Sequence, residues 1–358
     1  MLRHPLLAVI FVLPALLVGC PPASSDAGEG AGEGEGEPAE GEGEGEGEGE
    51  GEGEPAEGEG EGEPAEGEGE GEGEGEGEGE GEGEGEGETS GLFVPGTSPT
   101  TTVVLDEAST ALPVPLHVFR PTAAGTYPVV VYQHGFLLDV EWTSTLLTHV
   151  ASHGIVVVAP QMYAADNNPF GKPTSIEEAE DAATVLAFVA AGLEDALGDV
   201  VVDGAPVLVG HSRGAKVLWR LLADDASIAG GVVLIDPVDG EKSGDPEAVV
   251  GSVDVAGPAV VLGFGLSTSG FQACAPADDG HAHFAPALPG SVHVSAADAG
   301  HLDILDDEQP GCVFVCGACA AGTTPSAVRA TTAGMIVATV RDEVDAAVTA
   351  APVTLVVE

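Results

Sequence analysis

Residues 91–358 predict an α/β domain, with a mostly parallel central sheet covered by helices on both faces. Apolar runs of strand length alternate there with segments of helical period. The runs are continuous in Val, Ile and Leu instead of alternating with polar residues, the mark of strands buried on both faces. Residues capable of chemistry stand where these runs stop, the end of the strands at which such folds gather catalytic groups. A stretch of 268 residues is enough for one large domain with its own core.

Taken in order, "TTVVL" (101–105) and "PLHVF" (115–119) open the domain as two short strands. "YPVVVYQHG" leads into the helical "EWTSTLLTHVASHG", and "IVVVAP" into "SIEEAEDAATVLAFVAAGL". "APVLVGHS" precedes "RGAKVLWRLLADD", while "IAGGVVLIDPV" precedes a variable stretch. "PAVVLGFG" runs into a loop rich in Cys and His, and "SVHVSAADAGH" is the last strand of the series. "SAVRATTAGMIVATVRDEVDAAV" reads as one closing helix.

Ahead of this domain lie two other kinds of chain. Residues 1–20 carry Arg3, an apolar core from Leu6 to Val18, and Leu17-Val18-Gly19-Cys20. The core is short for a bilayer span and fits a secretory signal. Its end resembles a bacterial lipobox, in which Cys20 would be lipidated. Pro21 follows, not the Asp that favours inner-membrane retention, so an exported protein anchored to the cell envelope at the outer membrane is expected. Residues 21–90 are dominated by Gly-Glu alternation, which cannot bury apolar surface and reads as a disordered, self-repelling tether.

Charge excludes some partners. The chain's net charge is −52, and the 29 acidic residues from Asp26 to Glu88 account for much of it. The domain that follows still has 32 acidic residues against eight Lys or Arg, near −24, which argues against nucleic acid or anionic lipid as a partner. Four cysteines remain beside Cys20: Cys274, Cys312, Cys316 and Cys319. In an exported chain they predict two disulfides, with Cys274 bridged to the C-terminal cluster so that the long loop carrying His301 is closed. The competing reading is a zinc site built from "CVFVCGAC" and the nearby His281 and His283.

"GHSRGA" (210–215) lies between a strand and a helix, which makes Ser212 a nucleophile on a strained turn flanked by Gly210 and Gly214. The N–H of Arg213 at the helix start would be one oxyanion donor, and "HGF" (134–136) nominates the N–H of Phe136 as the other. The base should follow the serine, and the candidates are His281, His283, His293 and His301. His293 sits inside a strand pattern, and His281 and His283 can shape the pocket. His301 follows the last strand and a glycine, which makes it the base. Among the acids, Asp236 ends the strand "GGVVLIDPV", Asp239 reads as solvated, and Asp303 lies too near His301 in sequence to reach its Nδ1. Asp278 and Asp279 sit in the Cys/His loop. His134 should brace the oxyanion loop and His211 pack inward, while His117, His149 and His153 read as structural.

"VVVYQHGF", "LLTHVASHGIVVVAPQMY", "GHSRGAKVLW", "LIDPVDG", "CAPADDGHAHF" and "GHLDILDD" together resemble the successive motifs of the chlorophyllase family of α/β hydrolases, over roughly 115–345. Ala215 stands where that family usually has Gly. The resemblance implies an α/β-hydrolase fold and a serine carboxylic-ester hydrolase, with Ser212 as nucleophile, Asp236 as acid and His301 as base. Such a mechanism requires no metal and no organic cofactor. The natural ester of the family is the phytyl ester of chlorophyll, and the expectation here is a small-molecule or polymeric ester as substrate and a monomer. The alternative is a surface lipoprotein that uses the hydrolase fold as a binding or adhesion module.

Overall fold

A computed structural model of the protein describes residues 89–163, 170–240, 248–268, 273–307 and 319–358. The signal segment, Cys20, the Gly-Glu tract, Cys312 and Cys316 lie outside the described residues. The Val-rich runs form one sheet of nine strands in the order β1-β2-β4-β3-β5-β6-β7-β8-β9. These are β1 (Thr100–Leu105), β2 (Leu116–Pro121), β3 (Gly125–Gln133), β4 (Val156–Pro160), β5 (Val200–His211), β6 (Gly231–Ile235), β7 (Ala259–Phe264), β8 (Val292–Ala296) and β9 (Val356–Val357). The helices are α1 (Glu107–Thr110), α2 (Ser144–Ser152), α3 (Ser175–Ala191), α4 (Leu193–Leu197), α5 (Arg213–Asp224), α6 (His281–Phe284), α7 (Pro325–Arg341) and α8 (Val344–Ala350). β3 through β8 pair in parallel, and antiparallel strands flank them at both edges. This is the α/β-hydrolase architecture expected from the sequence.

Period-two alternation puts successive residues of each parallel strand into opposite cores, so the central segments of these strands are apolar on both faces. Val130, Tyr132, Val157, Val209, Val233 and Leu262 enter the core on one face, where α2, α7 and α8 pack. Val129, Val131, Val158, Leu208, Leu234 and Val261 enter the opposite core against α3 and α5. Because connections between parallel strands cross over helices, all the carboxyl ends lie along one rim.

The closing helix is two helices, not one. Asp342 adopts φ 59° between α7 and α8, a left-handed conformation that stops the first helix and redirects the chain. Polarity gave no sign of this break, nor of the two-residue β9 on the edge of β8. The N-terminal boundary is held by packing. Leu92 and Phe93 are buried, and a Cβ on Gly334 of α7 would lie 2.2 Å from the Phe93 ring, so that glycine makes the space for it. His149 Nε2 bonds Leu92 O at 3.0 Å, and Ser152 Oγ accepts from Gly96 N at 2.7 Å, fastening the same segment to α2.

Phe93→Ala should lower the unfolding free energy by about 3 kcal/mol, since the ring's transfer energy and a cavity are both lost. Urea denaturation checks this, and a loss below about 1 kcal/mol would contradict the packing described.

Candidate active site

The turn at Ser212 is compact because nothing larger than glycine fits beside it. A Cβ on Gly210 would stand 2.6 Å from Ala215 Cα, and one on Gly214 only 2.2 Å from Gln133 O at the end of β3. α5 can therefore start directly against the strand ends. Ser212 itself has φ 55° and ψ −126°, a conformation that non-glycine residues hold only when the surroundings enforce it. Its N–H donates to Ile235 O at 3.0 Å, and its carbonyl accepts from Val238 N at 3.2 Å, so β6 and the loop after it clamp the turn. Ala215 is fully buried in the position next to Gly214.

Asp236 follows β6 with φ 40° and is fully buried. Its Oδ1 accepts from Phe264 N at 2.9 Å, which leaves Oδ2 to accept from His301 Nδ1–H at 2.6 Å. On the other side of the ring, Ser212 Oγ–H donates to His301 Nε2 at 2.8 Å. The bond to the carboxylate selects the tautomer in which Nε2 is free to take a proton. His301 is also held through its backbone, whose carbonyl accepts from His211 Nε2–H at 2.9 Å. Burial, and then the neighbouring His301, push the His211 imidazole well below its usual range, so it stays neutral.

Asp303 is buried and turned away from the ring. Its carboxylate accepts from Gly300 N at 2.8 Å and Gly322 N at 3.0 Å, tying the loop of His301 to the segment after Cys319. That segment is joined to Cys274 by a disulfide with Cα atoms 5.7 Å apart, so neither cysteine has a thiolate to offer zinc. A bridge closing a loop of 45 residues is worth about 4 kcal/mol in the chain-entropy account. His281 Nδ1 and His293 Nε2 are hydrogen-bonded to each other at 2.8 Å. Among the described residues no group of three or more His, Cys, Asp or Glu is arranged to hold a metal ion.

Asp239 departs from the solvated reading. Its side chain is 1% exposed and accepts from Val249 N at 2.9 Å and Val250 N at 3.1 Å. Lys216 Nζ, on the buried side of α5, donates to Asp239 O at 3.2 Å and lies 3.7 Å from its Oδ1. The chain after Asp236 stays inside the domain because Val238 is bonded to the Ser212 carbonyl, and a charge that must stay inside needs a partner. His283 Nε2 lies 3.6 Å from the same carboxylate.

The segment 134–137 rests on Ser212, and a Cβ on Gly135 would lie 3.0 Å from Ser212 Cβ. Phe136 is the next residue after this contact, and Arg213 follows Ser212 as the first residue of α5, whose N–H has no intrahelical acceptor. His134 Nδ1–H donates to Gly135 O at 2.8 Å and its Nε2 accepts from Met162 N at 3.0 Å, locking the segment to the end of β4. Leu137, at φ 59°, donates its N–H to Tyr163 Oη at 3.1 Å. The Tyr163 ring meets Phe136 edge to face with centroids 6.2 Å apart, and burial pushes its phenol well above the usual range. The Arg213 guanidinium lies over the Phe136 ring at 4.9 Å and 2.7 Å from Glu178 Oε1. Sequence reasoning missed Tyr163, Glu178 and the Arg213 side chain. Glu178 looks like one more solvated acid among Glu177, Glu180 and Asp181; only its place on the inner stripe of α3 could have singled it out.

A family model described as Chlorophyllase matches residues 88–353. Chlorophyllase-1 of Arabidopsis thaliana is 35% identical over 252 residues, covering 64% of this chain and 76% of that protein. Chlorophyllase-2 of the same plant is 33% identical over 223 residues, 57% of this chain and 69% of its own length. The chloroplastic Chlorophyllase-1 of Citrus sinensis is 32% identical over 232 residues, 61% and 69% of the two chains.

Burial lowers the His134 imidazole from 6.5 to about 4. The unfolded chain takes up this proton below about pH 6.5. The associated stability is therefore complete above that pH and falls as pH drops toward 4, by about 3 kcal/mol at the bottom of the window. Urea unfolding at a series of pH values should show a shallower acid-side decline in His134→Asn than in the wild type. Equal slopes would contradict a neutral, buried His134.

Proposed function

The chain belongs to the chlorophyllase family, which makes it a hydrolase acting on esters, and on that premise we propose a serine mechanism run by Ser212, Asp236 and His301. The observation that carries the proposal is a single imidazole, His301, bonded to a buried carboxylate at 2.6 Å and to the Ser212 hydroxyl at 2.8 Å. His301 Nε2 takes the Oγ proton as Ser212 attacks the ester carbonyl, and Asp236 stabilises the imidazolium through Nδ1. The N–H groups of Arg213 and Phe136 stabilise the tetrahedral oxyanion. Collapse breaks the ester C–O bond, and the alcohol leaves with the proton from His301. Water, deprotonated by the same nitrogen, then frees the acid and restores the serine.

The substrate we propose is a hydrophobic carboxylic ester, with chlorophyll esters the first to try because the plant relatives are named chlorophyllases. We also propose that the enzyme acts as an exported lipoprotein, held through Cys20 at the outer membrane and kept clear of the surface by the Gly-Glu tether. The signal-like core, the Leu-Val-Gly-Cys end and the self-repelling tract support that reading.

Ser212→Ala should leave the fold intact and cut p-nitrophenyl ester turnover by about 10⁶-fold. Asp236→Asn should cut kcat by about 10⁴-fold. Substantial turnover in either variant would contradict the assigned roles.

In a detergent phase partition the wild-type protein should enter the detergent phase without its signal segment. Cys20→Ala should either be released into the aqueous phase or be retained by its uncleaved signal core, the two told apart by mass. Wild-type protein that stays in the aqueous phase would remove the lipid anchor.

A further inference from the structure

We propose that the Arg213 side chain is the positioning residue of the oxyanion hole, fixed by Glu178 and holding the Phe136 segment against Ser212. The inference rests on the serine mechanism above. The two backbone donors of that mechanism sit on different loops, one after β3 and one at the head of α5. No covalent link sets their separation. Gly135 lets the two loops touch, and a segment without a Cβ at the contact can also slide.

The Arg213 guanidinium spans this gap. Its Cζ lies 4.9 Å from the Phe136 ring centre, close enough for the ring face to attract the cation. Nη2 donates to Pro173 O at 2.5 Å and lies 2.7 Å from Glu178 Oε1. The side chains of Arg213 and Glu178 are 11% and 1% exposed, so each charge answers the other in a poorly solvated place. Tyr163 supports the same segment, its ring against Phe136 and its hydroxyl on Leu137 N. α3 is built to deliver Glu178. Thr174 and Glu177 form a reciprocal cap that fixes the first turn, and Glu178 is the next residue, on the inner side. Residue 213 thus supplies one donor through its N–H and restrains the other through its side chain. A lysine would keep the charge but lose the flat fork that can bond a carboxylate and cover a ring at once.

The test compares wild type with Arg213→Lys, Phe136→Leu and the double variant, all of which keep the backbone N–H groups and the charge on Glu178 or its partner. Measured are kcat and KM on a p-nitrophenyl ester, and the Ki of a trifluoromethyl ketone, whose adduct with Ser212 places an oxyanion in the hole. Arg213→Lys should lose about 10- to 100-fold in kcat, at or below the roughly 10²- to 10³-fold cost of removing an oxyanion donor outright. Its KM should stay within about twofold, and its ketone Ki should rise in step with the loss in kcat. Phe136→Leu should behave alike, and the double variant should be little worse than either. An unchanged kcat, a loss confined to KM, or an unchanged ketone Ki in Arg213→Lys would overturn the inference. Arg213→Met with Glu178→Met removes both charges together; wild-type kcat in that chain would overturn it as well. Wild-type resistance to a serine-directed phosphonate would instead sink the serine mechanism itself, so the two failures are distinguishable.

Discussion

The hydrogen bond from His301 Nδ1 to Asp236 at 2.6 Å is the contact around which the rim of the sheet is organised. Asp236 is fixed from behind by Phe264 N at the end of β7, so the carboxylate spans two neighbouring strands. His301 comes from the loop after β8 and has no such rigid base. Its restraint is built from three directions: His211 on its carbonyl, Asp303 on the N–H groups of Gly300 and Gly322, and the Cys274–Cys319 bridge beyond. A loop held this way keeps a buried imidazole, its ring 4.8 Å from that of His211, within hydrogen-bond reach of both partners.

An acidic domain with few cations places several of them inside. Arg213 and Lys216, on the first turn of α5, are both buried, with Glu178 and Asp239 as their near charges. Such pairs add little net stability, because desolvation offsets most of the attraction, but losing one partner leaves a charge uncompensated. Their consequence is geometric. Lys216 holds the loop after Asp236 to α5, and Arg213 packs the segment after β3 against the same helix. α5 is therefore the common reference for Ser212, the loop after Asp236 and the segment bearing Phe136.

Much of this was legible in the sequence for a physical reason. A doubly covered parallel sheet forces its strands to be apolar and puts its loops on one rim, so Ser212, Asp236 and His301 could be read as strand-end residues. Gly210 and Gly214 were legible as small, and the structure adds which atoms demand it. Asp239 and Glu178 were not legible. Charged residues next to other polar residues look solvated, and only the fold shows that Val238 holds one inside and that α3 turns the other inward. The break at Asp342 escaped notice because an aspartate at positive φ leaves no trace in polarity, and β9 is too short to show a pattern.

The most direct test of the central claim is the site of modification in chain inactivated by a p-nitrophenyl phosphonate. Peptide mass spectrometry should find one phosphonyl group per chain, on Ser212, with activity lost in proportion to labelling. An adduct on another residue, or full turnover by a chain labelled at Ser212, would contradict the account.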